Sequence, residues 1–567
     1  MTPFRKIVSF KSIFFKVCTA LALLWLMASC GVKKSLYHLP NLDGYSISKS
    51  DRTAFSDTVI KNGVNTLRKN KFGLWEMYLS GNALERGLAH GIMAKDLVQQ
   101  QEAIFFNKVE EFVPSQFKQY LLRKFLAWYN RKLYLHISNE YQAEIYGISR
   151  YANGSYDYLA TPFLRSLYLH AAHDIGHALQ DLALVGCSSF AVWGDKTTDG
   201  TLLVARNFDF YAGDDFAKTK VVQFVQPDKG YAFASVSWPG MIGVVSGMNI
   251  KGLTATINAG KSDLPLQAKT PISLVTREII QYASNIEQAI AIAKNREVFV
   301  SDAILVSSAI DKKAVIIEVS PDNFGVYEMP NSSELICSNH FQSKAYKEDK
   351  NNNRHKAESH SVYRYKRMEE LLVEKNKINP KKAAEILRDR EGLQGENIGY
   401  GNEKALNQLL AHHGVIFKPE KLQLWVSAPP YQLGPFVGYD LHEVFDSLAK
   451  NNKVMPLYNK AITITGDSFI DSEAFKNYEE YRILSRQLKS IIREDKKVDI
   501  GLLEKLIKLN ANYWEAHYLA GLYNYKKGYY AAAIPHLETS LKKEITTIPE
   551  RKNVEHYLKK AKRKTGR

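Results

Sequence analysis

Cys187 opens a stretch of chain that has little choice but to double back on itself. Gly186-Cys187-Ser188-Ser189-Phe190-Ala191-Val192-Trp193-Gly194 reads as a strand, and Asp199-Gly200 is a hairpin turn signal. Leu202-Leu203-Val204-Ala205 then starts a return strand that runs into Arg206-Asn207-Phe208-Asp209-Phe210. A hairpin of that length brings Arg206 and Asp209 back beside Cys187. The arrangement suits thiol chemistry, because the thiolate is the nucleophile and a nearby guanidinium favours it. If the bond before Cys187 were cut, the new α-amine, with an ordinary pKa of about 7.7–8.0, could accept the thiol proton. Asp209 could orient that amine, and no catalytic histidine would be needed. Without this ordered set, the plain reading of Cys187 is a buried structural thiol, since cysteine is among the most buried residue types.

Other segments carry a resemblance that runs from about residue 73 to 430. They are Gly81-Asn82-Ala83-Leu84-Glu85-Arg86-Gly87-Leu88-Ala89-His90-Gly91, then Gly247-Met248-Asn249-Ile250-Lys251-Gly252-Leu253 leading to Ile257-Asn258-Ala259. Ile336-Cys337-Ser338-Asn339-His340-Phe341 and Ser361-Val362-Tyr363-Arg364-Tyr365-Lys366-Arg367 follow. With the Cys-Arg-Asp block, this pattern resembles the N-terminal nucleophile hydrolases, in particular the isopenicillin-N acyltransferase family and its relatives the choloylglycine hydrolases and acid ceramidases. The resemblance implies an α+β fold, an αββα sandwich. It implies that Cys187 attacks an amide or thioester carbonyl, with Asn258 and Asn339 stabilising the oxyanion. It also implies a supporting arginine at Arg364, with Arg367 fitting almost as well. The implied substrate is a small N-acyl compound: a fatty acyl amide, a conjugated bile acid or an acylated amino acid. The resemblance implies no cofactor and no metal. One departure matters. Choloylglycine hydrolases expose their cysteine by removing little more than the initiator Met, whereas here 186 residues precede it. Exposure therefore calls for self-cleavage at Gly186-Cys187, as in the acyltransferase branch, leaving α- and β-subunits from one precursor.

The N-terminus carries its own signal. Arg5, Lys6, Lys11 and Lys16 precede the apolar run Val17 to Ala28, which ends in Met27-Ala28-Ser29-Cys30-Gly31. This is the layout of a secretory signal, and it resembles a bacterial lipobox, implying cleavage before Cys30 and lipidation of its thiol. The expected place is the cell envelope, with the protein anchored to the outer membrane and facing the periplasm. No second stretch of 18 apolar residues follows. Besides Cys18 and Cys30, only Cys187 and Cys337 remain. They could form one bridge, but so few cysteines in an oxidising compartment point rather to chemistry.

The chain is thus expected to divide into a signal over 1–29, a tether over 30–72, a helical pro-region over 73–186, a catalytic domain over 187–470 and a helical tail over 475–567. In the tail, Trp514 to Tyr523 followed by Ala531 to Leu541 resembles one tetratricopeptide unit. The net charge of +17, concentrated at the C-terminus in Lys559, Lys560, Lys562, Arg563, Lys564 and Arg567, reads as solvated helix surface, with attraction to an anionic membrane surface as the functional alternative. No nucleic-acid signature accompanies it. Two further patterns carry less. His170, His173 and His177, with Asp174, share one helix face that could hold zinc, but such a face more often packs. Thr465-Gly466-Asp467-Ser468-Phe469 resembles the nucleophile block of GDSL esterases, yet the late Asp-x-x-His of that fold is missing. There is no Gly-x-Ser-x-Gly elbow. The rival from another class is a catalytically silent envelope scaffold that recruits a partner through the helical tail.

Overall fold

The structure is a computed structural model that describes residues 31–46, 51–56, 58–179, 185–210, 213–262, 267–410, 412–450 and 456–566. Two sheets organise the chain. The larger has eleven strands in the order β1 (Arg52–Ser56), β2 (Val59–Asn62), β3 (Asn65–Lys69), β4 (Trp75–Gly81), β7 (Val221–Pro227), β8 (Phe233–Ser237), β9 (Ser246–Asn249), β10 (Leu253–Ala259), β11 (Asp302–Ser308), β12 (Lys313–Val319) and β13 (Phe324–Tyr327). The smaller has seven, ordered β14 (Glu334–Cys337), β5 (Val185–Gly194), β6 (Gly200–Phe210), β15 (His413–Lys418), β16 (Gln423–Ser427), β17 (Phe436–Asp440) and β18 (Asn459–Ile464). All neighbours are antiparallel except β4 and β7, which run parallel.

Both faces of both sheets are covered, which explains the uninterrupted apolar runs in the sequence. In Leu202-Leu203-Val204-Ala205, side chains alternate across the strand. Leu202 and Val204 enter the core shared with Val222, Phe224 and Met248 of the larger sheet. Leu203 and Ala205 enter a second core against Met368, Leu371 and Leu372 on the helix Ser361–Lys375. On the far side of the larger sheet, Ile257, Ile304 and Val306 pack with Ile272, Val275 and Ile279 of the helix Ile272–Tyr282 and with the helices of the pro-region. The order is helix, sheet, sheet, helix.

The expected boundaries shift in two places. The tether does not hang free: β1 to β3 lie within it and extend the larger sheet, and Asn41 exchanges hydrogen bonds with Asn139 at 2.9 and 2.7 Å. Polar edge strands carry little hydrophobic periodicity, so these strands leave almost no trace in the sequence. The pro-region, in turn, is not wholly helical, because β4 pairs with β7 across the Cys187 hairpin's position in the chain. Five helices follow residue 472, from Glu473–Arg493 to Ile548–Lys564, and Leu503, Leu506, Trp514 and Leu537 pack there with Leu409, Leu433 and Tyr478. Among the described residues no helix is long and apolar enough to cross a membrane. The signal segment and Cys30 lie outside the described residues.

The helices between residues 73 and 186 are locked to the chain beyond Cys187. Helices Ala83–Met93 and Asn139–Ser149 meet backbone to backbone: a Cβ on Gly87 would sit 2.0 Å from the Glu144 carbonyl oxygen. Buried Glu144 accepts from Arg86 at 2.8 Å and from Arg277 of the helix Ile272–Tyr282 at 3.3 Å. These two cations outweigh burial and hold the carboxyl below its usual range. Removing one partner of such a buried set costs about 3–5 kcal/mol. Two histidines clamp the loop 238–242. His90 Nε2 accepts from Gly240 N at 3.0 Å, and His170 Nε2 from Ile242 N at 3.1 Å.

Burial pushes both imidazoles down to about 4. They are neutral in the fold, while the unfolded chain takes up protons below about 6.5. Their contribution is therefore complete above about pH 6.5 and is lost as pH falls towards 4, by about 3 kcal/mol each. Urea unfolding of His170→Gln, which keeps an acceptor for Ile242, should show a shallower loss of stability than wild type between pH 6.5 and 4. Parallel profiles would contradict the clamp's charge state.

Candidate active site

The register of the hairpin sets the site. Cys187 pairs with Phe208, Gly186 with Asp209 and Ser189 with Arg206. Cys187 is fully buried. Arg206 lies over the Phe208 ring at 4.4 Å and points one Nη2 donor at Cys187 Sγ, 3.5 Å away. Its remaining contacts tie it to β9 and β10 through Val245 O, Ser246 Oγ and Ile257 O.

The backbone of Cys187 is gripped as closely as its sulfur. Asn339 Oδ1 accepts from Cys187 N at 2.8 Å, and Arg364 Nη1 donates to Cys187 O at 2.6 Å and to Ser188 Oγ at 2.7 Å. Arg364 Nη2 also donates to Asn339 Oδ1, so one guanidinium braces both the cysteine and the amide that holds it. Arg364 reaches the site because it sits in the first turn of the helix Ser361–Lys375, with its Nε donating to His360 Nδ1 at 3.2 Å. Arg367, one turn on, faces away and pairs with Asp389 at 2.8 Å. The two arginines that the sequence leaves nearly equivalent are thus separated by one helical turn.

The division of labour differs from the expectation. The contact to the Cys187 nitrogen expected of Asp209 is made by Asn339. Asp209 Oδ1 instead accepts from Gln432 Nε2 at 3.1 Å, and its Oδ2 has no partner among the described residues. Asn258 Nδ2 donates to Cys337 O at 3.0 Å and to Ser338 O at 3.3 Å, while its Oδ1 accepts from Ser189 Oγ at 2.8 Å. Both of its donors are engaged, so an oxyanion would have to displace one. Asn339 Nδ2 donates to Ala259 O at 2.9 Å and keeps its second hydrogen. Asn249 Oδ1 closes the β9–β10 turn by accepting from Lys251 N at 3.0 Å and Leu253 N at 3.1 Å, while its Nδ2 donates to Ile280 O and Ala283 O. Gly186 packs so closely on Gln408 that a Cβ would lie 2.3 Å from its Nε2. Cys337 and Cys187 are both free thiols, with no bridge between them.

Several supporting residues escaped the sequence reading. Ser361 Oγ accepts from Asn339 N at 2.8 Å, fixing the amide that holds Cys187. Gln432 arrives from 223 residues beyond Asp209. A lone serine at a helix start and a lone glutamine in a loop carry no pattern in one sequence. The one available hint was Ser361's place in the Ser361–Arg367 segment.

Burial dominates the electrostatics. The Cys187 thiol is pushed up, first by burial and further by Asp209, against the lowering by Arg206 and Arg364. In this continuous chain, Arg206 therefore does not by itself keep the sulfur as thiolate. Burial also lifts Asp209 to about 7, against Arg364, Gln432 and Arg206. The acid–base poise is that of two groups that both hold their protons more tightly than usual.

A narrow cavity of about 50 Å³ lies between Phe210, Phe216 and Trp238 on one side and the helices that carry Gln101, Glu102 and His170 on the other. The histidine face resolves as packing at His170, whose ring nitrogens bond Ser166 O at 2.7 Å and Ile242 N. Asp174 accepts from Ile272 N at 2.7 Å. The side chains of His173 and His177 lie outside the described residues. The Thr465–Phe469 stretch serves the fold: Asp467 caps the turn at Phe469 N and pairs with Arg390 at 2.7 Å.

Residues 196–428 match the model of the acyl-coenzyme A:6-aminopenicillanic acid acyl-transferase family. An uncharacterized protein of Archaeoglobus fulgidus is 26% identical over 398 residues, covering 62% of this chain and 63% of its own length. Protein dcd1B of Dictyostelium discoideum is 24% identical over 265 residues, covering 44% of this chain and 51% of its own. The chain thus spans between half and two thirds of each relative. Among solved structures, a Caenorhabditis elegans ortholog of N-acylethanolamine-hydrolyzing acid amidase is similar at 15% identity and a TM-score of 0.31, covering 41% of this chain and 93% of that one. A mutant of the conjugated bile acid hydrolase from Clostridium perfringens is similar at 16% identity and a TM-score of 0.33, covering 48% of this chain and 97% of that one. Cys187 precedes the matched segment, and across that segment, residues 196–428, the chain is similar to the acyl-coenzyme A:6-aminopenicillanic acid acyl-transferase family.

Proposed function

We propose that this chain is a cysteine N-terminal nucleophile enzyme that cleaves or transfers the acyl group of an N-acyl amide, after cutting itself between Gly186 and Cys187. The observation that carries the reading is the convergence on one residue: Asn339 on its nitrogen, Arg364 on its carbonyl and Arg206 on its sulfur. A structural thiol needs none of these. The family match over 196–428 supports acyl transfer.

In the precursor, Cys187 Sγ attacks the Gly186 carbonyl carbon, and the thiol proton passes to Asp209 and on to the departing amine. Water then hydrolyses the Gly186 thioester and leaves a free Cys187 α-amine. That amine accepts the thiol proton in each later turnover, with Asn339 still holding the nitrogen. On this reading the second N–H of Asn339 Nδ2 donates to the developing oxyanion, a role in which one donor is worth on the order of 100-fold in rate. Water or an amine resolves the acyl-enzyme. The four-layer fold is, on this reading, the N-terminal nucleophile sandwich. The Ala28-Ser29-Cys30 junction makes the chain a lipoprotein held at the cell envelope.

Mass spectrometry of the purified protein should find a fragment beginning at Cys187, and Cys187→Ala should remain one inactive chain. A full-length wild type with full activity would rule out the α-amine as base. Cleavage of freshly made precursor should accelerate as pH rises through about 7, where Asp209 ionises, and Asp209→Asn should lose that limb. An unchanged profile would remove Asp209 from the proton path.

In the mature enzyme, Asn339→Ala should lower kcat and kcat/KM together by about 100-fold with KM little changed, as loss of a transition-state contact requires. A rise in KM alone would make it a binding residue. Cys30→Ser should shift the protein out of the membrane fraction, and unchanged fractionation without lipid on Cys30 would refute the anchor.

A further inference from the structure

Of the 14 residues in the helix Gln116–Tyr129, only Tyr129 is buried. The apolar side chains still keep helical order. Phe117, Tyr120, Leu121, Phe125 and Trp128 stand at i, i+3, i+4, i+8 and i+11, which is one stripe of an α-helix. In a helix that serves the core, such a stripe turns inward. Here it turns outward: Phe117 is 70% exposed, Leu121 49%, Tyr120 47% and Phe125 39%. Apolar residues scattered singly over a surface need no explanation, whereas a contiguous apolar patch marks a site of contact.

The charge around the stripe has one sign. Between Glu111 and Glu140 the chain has no acidic residue, but it has Lys118, Arg123, Lys124, Arg131 and Lys132. Glu111 itself is paired with Lys108 at 2.8 Å. None of the five cations forms an ion pair among the described residues. Arg123 donates to Tyr158 O at 3.0 Å and Arg131 to Trp128 O at 2.7 Å. At 100° per residue, Lys118 and Arg123 flank the stripe and Lys124 lies within it. A lysine there can lay its stem along the apolar surface and hold its ammonium at the edge. The N-terminal chain arrives at this place. Gly31 packs on the Arg131 stem, where a Cβ on Gly31 would lie 3.3 Å from Arg131 Cδ. Cys30 lies outside the described residues, but the peptide bond keeps its Cα about 3.8 Å from that of Gly31.

We infer that the helix Gln116–Tyr129 docks on the surface of an anionic phospholipid bilayer, with Phe117, Tyr120, Leu121 and Phe125 entering the acyl boundary and the five cations meeting the phosphates. An aromatic and aliphatic stripe with lysines and arginines beside it is the pattern of a helix that lies in the membrane interface. A protein partner fits less well, because it would have to bury Lys118 and Lys124, and protein interfaces are depleted in lysine. The inference rests in part on the reading of Cys30 as a lipid anchor, since Gly31 brings that residue beside the patch. A lipid at Cys30 and the docked helix then hold the same side of the molecule, so the protein lies on the bilayer instead of hanging from it.

The test is flotation of the full chain with vesicles of phosphatidylcholine alone or mixed with phosphatidylglycerol. Every protein carries Cys30→Ser, so no lipid on that residue masks the helix. The parent is compared with Phe117→Ser/Leu121→Ser and with Lys118→Ser/Lys124→Ser, and thermal unfolding establishes that each is folded. The parent should bind the phosphatidylglycerol vesicles more tightly than phosphatidylcholine alone. The apolar double variant should lose about tenfold in affinity, since burying even one such side chain is worth about that much. The lysine double variant should lose about 30-fold on anionic vesicles, as about 1 kcal/mol per cation requires. Equal binding by all three proteins, or no binding by the parent, would overturn the proposal. So would a lipid-free dimer, seen by sedimentation velocity, that Phe117→Ser/Leu121→Ser splits, because a second copy would then cover the face. The mass of the chain without the Cys30→Ser change reports lipid on Cys30 separately. Lipid there without the variant contrast would refute the docking and leave the anchor, and the contrast without lipid would do the reverse.

Discussion

The buried guanidinium of Arg364 is the interaction on which the site depends. It bonds Cys187 O, Ser188 Oγ and Asn339 Oδ1 at once, and so joins the helix Ser361–Lys375 to the smaller sheet at the point where Cys187 enters it. Burying an arginine without a carboxylate partner is costly, and its pKa is accordingly pulled down, burial being the main cause. The cost is offset by a full set of oxygen acceptors in fixed directions. Lysine could not fill the same position, because one ammonium lacks the planar fork that spans two acceptors on Cys187–Ser188 and a third on Asn339.

Around this anchor the site is held in a proton-rich state. Cys187 and Asp209 both sit above their usual pKa because burial outweighs the arginines. In the continuous chain the Cys187 thiol therefore holds its proton more tightly than usual. On the proposed reading, cleavage changes one atom's chemistry, turning an amide nitrogen into an amine at a position already held by Asn339. The low dielectric that holds this proton then strengthens the interactions of the charges that form during turnover.

The hairpin was legible in the sequence because strand alternation and the Asp199-Gly200 turn are local signals, and register follows from them. The two-sided burial of Leu202-Leu203-Val204-Ala205 comes from the structure, where alternate residues enter two different cores. What escaped depends on contacts distant in sequence. Gln432 meets Asp209 across 223 residues, and the choice of Asn339 over Asp209 as partner to the Cys187 nitrogen is decided by the β14–β5 pairing. Strands β1 to β3 escaped for a different reason: edge strands with polar faces resemble loops in composition. The separation of Arg364 from Arg367 is set by which face of one helix meets β5, a property of packing that spacing alone does not determine.

The central claim is that Cys187 carries the acyl group. The direct measurement is to mix the purified protein with an N-acyl amide, quench it in acid within seconds, and weigh the fragment that begins at Cys187. The account predicts a mass increase equal to the acyl group, located on Cys187 by peptide mapping and absent from Cys187→Ala. Acyl mass on any other residue, or turnover at full rate with Cys187 replaced, would contradict it.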